Sequence, residues 1–481
     1  MNEGYIGSLL EADELVSAVK GKLIGKDSLF FSSVATDSRN VSKDSLFVPI
    51  IGENQDGHRY ILAAVDKGAS VVLAADESWK KLPEADRKSI EERASVVVVE
   101  NTLYALQAAA ARYVEKFPEL IKVGITGSNG KTTTKEIAVS VLSQKYNVVA
   151  TEGNFNSETG LPLSVFKIRK EHEAGIFEMG MNRVNEIGEL ASVLRPSFAI
   201  ITNIGTAHIG FLGSKDNIAE EKKKIFSQFK DDSCVGFVPG SDEYASFLSD
   251  VKTGSVRYFG KDFQKNVTDV REDGIEGTSF EYCGKTVRFP LPGTYNFSNM
   301  LAVVELAEAL AVPTEKIIAG IEGVKPLFGR SRVLSGSFSI VQDCYNANAE
   351  SMAESIRFYG GSKIGGKKVF VLGDMLELGA ASAEIHRNMG VLAASEKPFA
   401  VFFVGREMSN AYEAACEYCR EHDCDVKLFA EKDTDDSSVL NVSETAAALA
   451  SDGDLFLVKG SRGLRLERVV SVLCEKAGVA V

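Results

Sequence analysis

The residues with the clearest chemical role form a glycine-rich turn between an apolar run and a helical pattern. The turn spans residues 124–133 and reads Gly-Ile-Thr-Gly-Ser-Asn-Gly-Lys-Thr-Thr. At a helix start, such a turn presents backbone N–H groups and the positive end of the helix dipole, which favour phosphate. The general phosphate-loop pattern has four residues between its first glycine and its Gly-Lys pair, whereas five separate Gly124 from Gly130. We interpret the segment as a variant phosphate-binding loop; the alternative is an ordinary strand-to-helix turn.

The side chains of this loop predict a nucleotide site. We expect the Lys131 ammonium to pair with phosphate oxygens and the Thr132 hydroxyl to reach a Mg²⁺ ion. The other nucleotide-binding positions that we expect in the loop are Thr126, Gly127, Ser128, Asn129, Gly130 and Thr133.

Two further candidates stand at the ends of later apolar runs. Glu178 closes the run at residues 175–177, and His208 follows the run at residues 198–204. An acid at the carboxyl end of a strand is placed to meet Mg²⁺ beside a phosphate loop. From spacing alone, a solvated carboxylate explains Glu178 equally well, and a structural role is the commoner one for a lone histidine.

The elements that must position these residues alternate between strands and helices. We predict strands at residues 45–51, 69–75, 121–125, 175–177, 198–204, 368–372, 399–404, 426–429 and 455–458. Alternation of this kind is typical of βαβ units on parallel sheets. We therefore predict an α/β protein of three domains, at residues 1–114, 115–327 and 328–481, with a central P-loop ATPase-like parallel sheet and a Rossmann-like C-terminal domain.

Composition excludes several classes of protein. The chain has 481 residues and a net charge of −13, which argues against a nucleic-acid partner. No apolar run reaches the roughly 18 residues of a membrane-spanning helix. The seven cysteines are few and scattered, as in a cytosolic protein with reduced thiols. The group Cys416, Cys419, His422 and Cys424 has spacing that hints at metal ligands, but the surrounding pattern favours a surface helix.

The loop sequence Thr-Gly-Ser-Asn-Gly-Lys-Thr, from residue 126, resembles the ATP loop of the Mur ligases and their relatives, the folylpolyglutamate synthases. The resemblance implies that Glu178 and His208 hold metal ions, two Mg²⁺, near the γ-phosphate of ATP. It also implies a lysine converted by CO₂ to a carbamate, which the alignment of Ile218 and Phe226 puts at Lys222 and which would serve as a further metal ligand. Considered without the resemblance, this stretch predicts an amphipathic helix with a solvated run of charges.

The segment at residues 293–299 resembles the family's Gly-x-His-Asn-x-x-Asn motif near the nucleotide, with Tyr295 in place of the histidine. Asn296 and Asn299 either contact the nucleotide or cap the following helix. Arg330 resembles the arginine of the family's Gly-Arg pair at the start of the third domain, and the resemblance makes it a nucleotide contact.

Other segments resemble the branch of the family that adds D-alanyl-D-alanine to a UDP-muramoyl-tripeptide. The most specific is Asp-Cys-Tyr-Asn-Ala-Asn-Ala-Glu-Ser-Met at residues 343–352, and residues 154–162, 372–379 with His386, and 459–463 are also similar. Residues near the N-terminus resemble a UDP-sugar domain. The substrate contacts implied are Ser38, Arg39, Asn54, Asp56, Asn156, Asn346 and Asn348.

By resemblance, the three domains bind the UDP-MurNAc peptide, ATP and the incoming amine in turn, and Lys131, His208 and Lys222 are catalytic. The implied reaction forms an amide bond through an acyl phosphate. The enzymatic alternative is a sibling ligase that adds a diamino acid to a UDP-MurNAc-dipeptide, and the alternative from another class is a protein that uses ATP as a switch. We expect a monomeric cytoplasmic enzyme with small-molecule substrates, no nucleic acid and no membrane insertion.

Overall fold

Short apolar runs in the first hundred residues form the first sheet. The computed structural model describes residues 7–27, 30–52 and 55–479. The strands here are β1 (Lys22–Gly25), β2 (Ser33–Ala35), β3 (Ser45–Phe47), β4 (Ala69–Ala75) and β5 (Ser95–Val99), with helices α1 (Ala12–Val19), α2 (Ile61–Asp66), α3 (Asp76–Lys81), α4 (Glu84–Glu91) and α5 (Thr102–Val114). The strand order is β1-β5-β4-β3-β2, and only the β1–β5 pair is antiparallel within the described residues.

The second sheet carries the phosphate loop. Its strands are β6 (Ile121–Thr126), β7 (Val148–Ala150), β8 (Ala174–Glu178), β9 (Phe198–Ile201), β10 (Val235–Pro239) and β11 (Ser255–Phe259). All pairs are parallel, in the order β11-β10-β9-β6-β8-β7. The chain adds strands on one side of β6 and then on the other, so the carboxyl end of β6 is a topological switch point, where open α/β sheets bind ligands.

Helices and a small antiparallel sheet surround this second sheet. The helices are α6 (Lys131–Leu142), α7 (Gly160–Val165), α8 (Glu186–Leu194), α9 (Ile209–Leu212), α10 (Lys215–Lys223), α11 (Ala245–Ser249), α12 (Thr294–Ala309) and α13 (Thr314–Glu322). The antiparallel strands are β12 (Val267–Glu272), β13 (Thr278–Tyr282) and β14 (Lys285–Phe289). Buried residues of α6, α12 and α13 form one apolar core with the face of the second sheet that they cover.

The third sheet also has helices on both faces. Its strands are β15 (Arg332–Ser335), β16 (Ser339–Asp343), β17 (Lys368–Gly373), β18 (Ala400–Val404), β19 (Lys427–Glu431) and β20 (Leu455–Lys459), and its helices are α14 (Ala349–Gly361), α15 (Ser382–Ser395), α16 (Met408–His422), α17 (Asp436–Leu449) and α18 (Glu467–Ala477). The order is β15-β16-β20-β17-β18-β19, parallel except for the edge strand β15. Two apolar cores lie on its two faces, which is the layering of a doubly wound sheet.

The predicted α/β class is confirmed, and the strand predictions differ mainly in length. The strands predicted at residues 45–51 and 198–204 end at Phe47 and Ile201. In the second case the next residues leave the sheet to line a cleft. Along the described ranges, no helix has the length and apolar character needed to cross a membrane.

The cysteine group lies on and just after α16, as the helical interpretation predicts. Cys416 and Cys419 are half-buried on that helix, and all seven cysteines are free. Among the residues that the structure describes, no three His, Cys, Asp or Glu side chains come together in a way that would hold a metal ion. The proposed spacing of metal ligands therefore has no geometric support.

Candidate active site

The turn between β6 and α6 needs its glycines. Gly127 and Gly130 have φ angles of 149° and 80°, in a region that L side chains rarely adopt. A Cβ at Gly127 would lie 1.8 Å from Oγ1 of Thr202, and one at Gly130 would lie 2.6 Å from Oδ1 of Asn299. The backbone of the loop thus packs directly against its neighbours, and its N–H groups at the start of α6 stay open toward the cleft.

Lys131 is the first residue of α6 and lies half-buried in the loop. Its Nζ donates to the carbonyl oxygens of Gly127, at 2.8 Å, and Ser128, at 3.4 Å. Burial lowers the pKa of the ammonium from its usual value, and only the more distant Glu178 opposes that shift. A phosphate anion is a stronger acceptor than these neutral carbonyls, so the lysine is placed to exchange them for a nucleotide.

Glu178 is buried at the end of β8, with 2% of its surface exposed. Its Oε2 accepts a hydrogen bond from Oγ1 of Thr132 at 2.8 Å, and its Oε1 accepts one from Nδ2 of Asn156 at 2.6 Å. The interpretation of Glu178 as a solvated carboxylate is therefore wrong, because the side chain is enclosed and held by two donors.

The Thr132 hydroxyl and the Glu178 carboxylate together fit a Mg²⁺ ion. A carboxylate and a hydroxyl beside a phosphate loop match the ion's habit of using one or two protein oxygens together with substrate phosphates. The hydroxyl of Thr132 and the carboxylate of Glu178 already converge at the mouth of the loop. These two side chains would hold a metal ion that neutralises phosphate charge.

His208 lines the cleft at the start of the short helix α9, with a φ of 65°. Burial, with the positive charges of Lys131 and Lys222, lowers the pKa of its imidazole to about 4. The ring is therefore neutral near pH 7 and keeps a lone pair on one nitrogen, as a metal ligand requires. Its Nδ1 is buried and makes no hydrogen bond within the described part of the chain, which is unusual for a purely structural histidine.

Lys222 lies on α10 with only 1% of its surface exposed. Burial and the nearby charge of Lys131 lower the pKa of its amine well below the usual value. Its Nζ takes part in no hydrogen bond or ion pair among the described residues. Burial at this position thus favours the neutral amine over the ammonium.

The charge run around Lys222 is only partly solvated, so that interpretation of the segment needs correction. The neighbouring Glu221 is 2% exposed and accepts hydrogen bonds from the backbone of Asn185 at 2.8 Å and Ile187 at 3.0 Å. It also pairs with Lys224 at 2.7 Å. The run therefore anchors the start of α8 and buries one amine.

Asn296 and Asn299 do not cap α12, so that alternative is wrong. The residue before the helix is Gly293, and no side chain caps the helix start. Nδ2 of Asn296 donates to the carbonyl of Pro292 at 2.7 Å, and Asn299 packs on Gly130 of the phosphate loop. Both asparagines line the cleft, as a nucleotide contact requires.

Tyr295 also faces the cleft and joins two parts of the chain. Its hydroxyl lies 2.8 Å from Oγ of Ser331, which directly precedes β15. Burial and the charge of Asp343 raise the pKa of the phenol well above its usual value. The tyrosine is therefore a neutral hydrogen-bonding link between the second and third sheets.

A single cleft of about 640 Å³ lies between the carboxyl ends of the second and third sheets. It brings together most of the predicted site residues: Ser128, Asn129, Gly130, Lys131, Thr132, Thr133, Asn156, Glu178, His208, Asn296, Asn299, Arg330, Asn346 and Asn348. Nδ2 of Asn348 donates to Oδ1 of Asn129 at 2.7 Å, which links the predicted amine site directly to the phosphate loop. The Arg330 guanidinium stacks on the ring of Tyr345 at 4.3 Å.

Other predicted residues lie apart from the cleft lining. Thr126 is buried and donates its hydroxyl to the carbonyl of Met179 at 2.9 Å. In the first sheet region, Arg39 pairs with Asp37 at 2.6 Å, and Asp56 accepts a hydrogen bond from Ser78 at 2.8 Å. The lining residues of the cleft also do not include Gly127, Lys222 or Ser38. Asn54 lies outside the described residues.

Several cleft residues are missing from the predicted set although their motifs were recognised. Asp343 and Lys459 end the adjacent parallel strands β16 and β20, and their side chains pair at 2.6 Å. Glu350 and Arg462 line the same wall. The available signal was positional, because polar residues at the ends of neighbouring parallel strands meet at one edge of a sheet.

Comparisons with known proteins agree with this geometry. Three family patterns match in order: the Mur ligase family catalytic domain at residues 31–114, the Mur ligase middle domain at residues 125–307, and the Mur ligase glutamate ligase domain at residues 329–462. The UDP-N-acetylmuramoyl-tripeptide--D-alanyl-D-alanine ligase of Treponema pallidum (strain Nichols) is 44% identical over 467 residues, which cover 97% of this chain and 99% of that protein.

Solved structures show the same fold. MurF from Acinetobacter baumannii superposes with a TM-score of 0.84 at 28% identity, over 96% of this chain and 98% of that one. The MurF ligase from Thermotoga maritima, solved in complex with ADP, superposes with a TM-score of 0.78 at 27% identity, over 94% of this chain and 99% of that one. Similarity in both sequence and fold thus extends over the first, second and third sheets.

Proposed function

Since this chain belongs to the Mur ligase family, we propose that it joins D-alanyl-D-alanine to UDP-N-acetylmuramoyl-tripeptide at the expense of ATP. The product is the UDP-MurNAc-pentapeptide precursor of peptidoglycan, so the enzyme is a ligase of cell wall biogenesis. The observation that carries the proposal is the one cleft in which the phosphate loop and the Asn346–Asn348 turn are joined by the Asn129–Asn348 hydrogen bond. This arrangement supports a reaction in which phosphoryl transfer and amide formation share one site.

The chemistry follows from the weakness of a carboxylate as an acyl donor. The terminal carboxylate of the tripeptide attacks the γ-phosphorus of ATP, the bond to the β-phosphate oxygen breaks, and ADP leaves. The free amine of D-alanyl-D-alanine then attacks the acyl carbon, loses a proton and expels inorganic phosphate. Lys131 and the N–H groups of the loop bind the phosphates, so the protein acts through placement and charge neutralisation.

The wall formed by the third sheet suits a dipeptide that carries both charges. Glu350 and Glu354 line it beside Lys459 and Arg462. Carboxylates attract the ammonium end of a zwitterion and cations attract its carboxylate end. We assign this wall to the incoming D-alanyl-D-alanine, and the turn that contains Asn346 and Asn348 shapes the pocket. The side chains that we assign to the UDP-MurNAc-tripeptide are Ser38, Arg39, Asp56 and Asn156.

The metal and lysine chemistry completes the proposed site. We propose that Thr132, Glu178 and His208 would hold Mg²⁺, which would neutralise charge on the transferred phosphoryl group. We also propose that Lys222 is carbamylated. Its support is the buried amine, which has a lowered pKa and makes no hydrogen bond within the described ranges, because a carbamate forms from neutral amine and CO₂. The resulting anion would act as a further ligand.

We also propose a role for each domain and a cellular location for the enzyme. We assign residues 1–114 to the UDP-MurNAc peptide, residues 115–327 to ATP and residues 328–481 to the amine. We place the enzyme in the cytoplasm, supported by seven free cysteines in a chain of this size. Of the two alternatives, the comparisons do not favour a sibling ligase that adds a diamino acid. A protein that uses ATP as a switch would not need Glu178, His208 and Lys222 together.

The proposed function is tested by measuring phosphate release with each substrate omitted in turn. We expect release only when ATP, UDP-MurNAc-tripeptide and D-alanyl-D-alanine are all present, because the acyl phosphate needs an amine to complete turnover. D-alanine, L-lysine and diaminopimelate serve as competing amines. Equal turnover with UDP-MurNAc-dipeptide and a diamino acid would assign the chain to the sibling reaction, and release without any amine would favour an ATP switch.

Replacing Asn346 with alanine is expected to raise the KM for D-alanyl-D-alanine about tenfold, the usual effect of removing one hydrogen bond to a charged ligand, while leaving the KM for ATP near its original value. The Oδ1 of Asn346 accepts its hydrogen bond from the next residue, Ala347, at 2.9 Å, so its amide nitrogen stays available in the cleft. Steady-state kinetics with each substrate varied separately measures the effect. An equal loss for all three substrates would instead assign a structural role to this turn.

A further inference from the structure

The loop after β17 carries a motif that resembles the family but has no role in the proposed reaction. Residues 372–379 run Leu-Gly-Asp-Met-Leu-Glu-Leu-Gly, and His386 follows on α15. The backbone N–H of Met375 donates to Nε2 of His386 at 3.1 Å, and that of Leu376 donates to Oγ of Ser461 at 3.0 Å. Two hydrogen bonds, to side chains from different parts of the chain, therefore fix this loop at successive residues.

The residue that follows these anchors is projected across the cleft. Glu377 has a φ of 66°, a conformation that costs free energy for a residue with a side chain. Its carboxylate is 57% exposed, and its Oε2 lies 3.4 Å from Nδ1 of His208, which belongs to the second sheet region. Backbone contact accompanies the pairing, because a Cβ at Gly210 would lie 3.3 Å from the carbonyl oxygen of Glu377.

The partner side of this contact is equally constrained. His208 itself has a positive φ of 65°, and its Nδ1 is buried without a hydrogen bond inside the described ranges. Two residues before His208, the backbone N–H of Thr206 donates to Oε1 of Glu350 at 2.7 Å. Two carboxylates of the third sheet region therefore hold the loop that carries His208.

We propose that Glu377 is a positioning residue that orients the His208 ring for the metal–nucleotide site. A proton on Nδ1 that faces the Glu377 carboxylate leaves the lone pair on Nε2, the arrangement by which carboxylates fix histidine metal ligands. Because Glu377 belongs to the third sheet region, docking of that region completes the metal site of the second. This inference rests on the role of His208 in the proposed function.

The test measures binding rather than turnover. Calorimetric titration of the full-length protein with Mg²⁺, at a fixed saturating concentration of a non-hydrolysable ATP analogue, gives the apparent affinity for the ion. Loss of a carboxylate that orients a histidine ligand typically weakens metal binding about 10- to 100-fold, so Glu377→Ala is expected to weaken it by at least about tenfold. Glu377→Gln keeps a hydrogen-bond acceptor but loses the charge, so its Mg²⁺ affinity is expected to lie between those of the original protein and Glu377→Ala. Analogue binding in EDTA is expected to be the same for all variants.

Matched variants separate this role from others. Glu384→Ala removes an exposed carboxylate on α15 of the same region, and it is expected to leave the Mg²⁺ affinity unchanged. Adding Glu377→Ala to His208→Ala is expected to cause no further loss of Mg²⁺ affinity, since Glu377 acts through His208. Additive losses, or a Glu377→Ala affinity within twofold of the original, would overturn the inference while leaving His208 as a ligand. No effect of His208→Ala alone would instead remove His208 from the proposed metal site.

Discussion

Replacement of Lys131 by alanine is expected to lower kcat/KM for ligation at least about 100-fold, the usual cost of losing a charge contact to the transition state. Within the part of the chain that the structure describes, the ammonium donates only to two loop carbonyls, so its loss removes no packed core group. The Tm of the variant is therefore expected to stay close to that of the original protein. Phosphate-release kinetics and thermal unfolding followed by circular dichroism measure the two quantities.

Lys170 offers a matched control for this experiment. It is an exposed lysine in a turn of the same region, and Lys170→Ala is expected to leave both kcat/KM and Tm unchanged. Near-normal turnover of Lys131→Ala would remove the loop lysine from the mechanism. A large drop in Tm would mean that the lysine acts through the fold.

Replacement of Lys222 by alanine is expected to lower turnover more than about 100-fold, because it would remove an anionic ligand of the metal ion beside the reacting phosphates. The carbamate is the working form of this residue in our account, so acetate is expected to restore part of the activity by filling the vacated anionic position. Turnover of the variant with and without added acetate measures both effects. Incubation with ¹³CO₂, followed by carbon NMR, detects the carbamate directly in the original protein.

The structure identifies Lys223, rather than Lys224, as the control for Lys222. The Lys223 ammonium lies 4.2 Å from the centre of the Phe247 ring, a contact worth about 0.5–1 kcal/mol at an exposed site. Lys224 instead pairs with the buried Glu221, so its removal leaves a buried carboxylate without its partner. Lys223→Ala is expected to be mild. Full activity of Lys222→Ala, or a free ammonium at Lys222 in the presence of CO₂ and Mg²⁺, would refute the carbamate.

The phosphate loop was predictable because its chemistry is local. The loop brings together, within a few residues, glycines at positions that need positive φ, a lysine and two threonines. It lies between a strand and a helix that were both predicted. The position of Glu178 at a strand end was predictable for a related reason, and that strand lies next to the loop strand. Its burial was not predictable, because from spacing alone a solvated carboxylate explains Glu178 equally well. The family follows from such motifs in order along the chain, and the comparisons confirm it.

Burial and long-range pairing were not available from the local pattern. Glu221 and Lys222 stand in a run of charges that normally faces water, yet both are buried because α10 packs beneath α8. The link between Asn129 and Asn348 joins residues far apart in sequence, and it depends on how two sheets meet. The pairing of His208 with Glu377 has the same origin. Tertiary packing, rather than residue type, decides such contacts.

The acyl-phosphate mechanism is tested by following an oxygen atom from the tripeptide into the products. UDP-MurNAc-tripeptide labelled with ¹⁸O in its terminal carboxylate is incubated with the enzyme, ATP and D-alanyl-D-alanine, and mass spectrometry is applied to both products. We expect one ¹⁸O atom to appear in inorganic phosphate for each amide bond formed in the pentapeptide. The reason is that phosphate leaves the acyl phosphate with one oxygen of the original carboxylate. Unlabelled phosphate accompanying amide formation, or labelled phosphate without any pentapeptide, would contradict this mechanism.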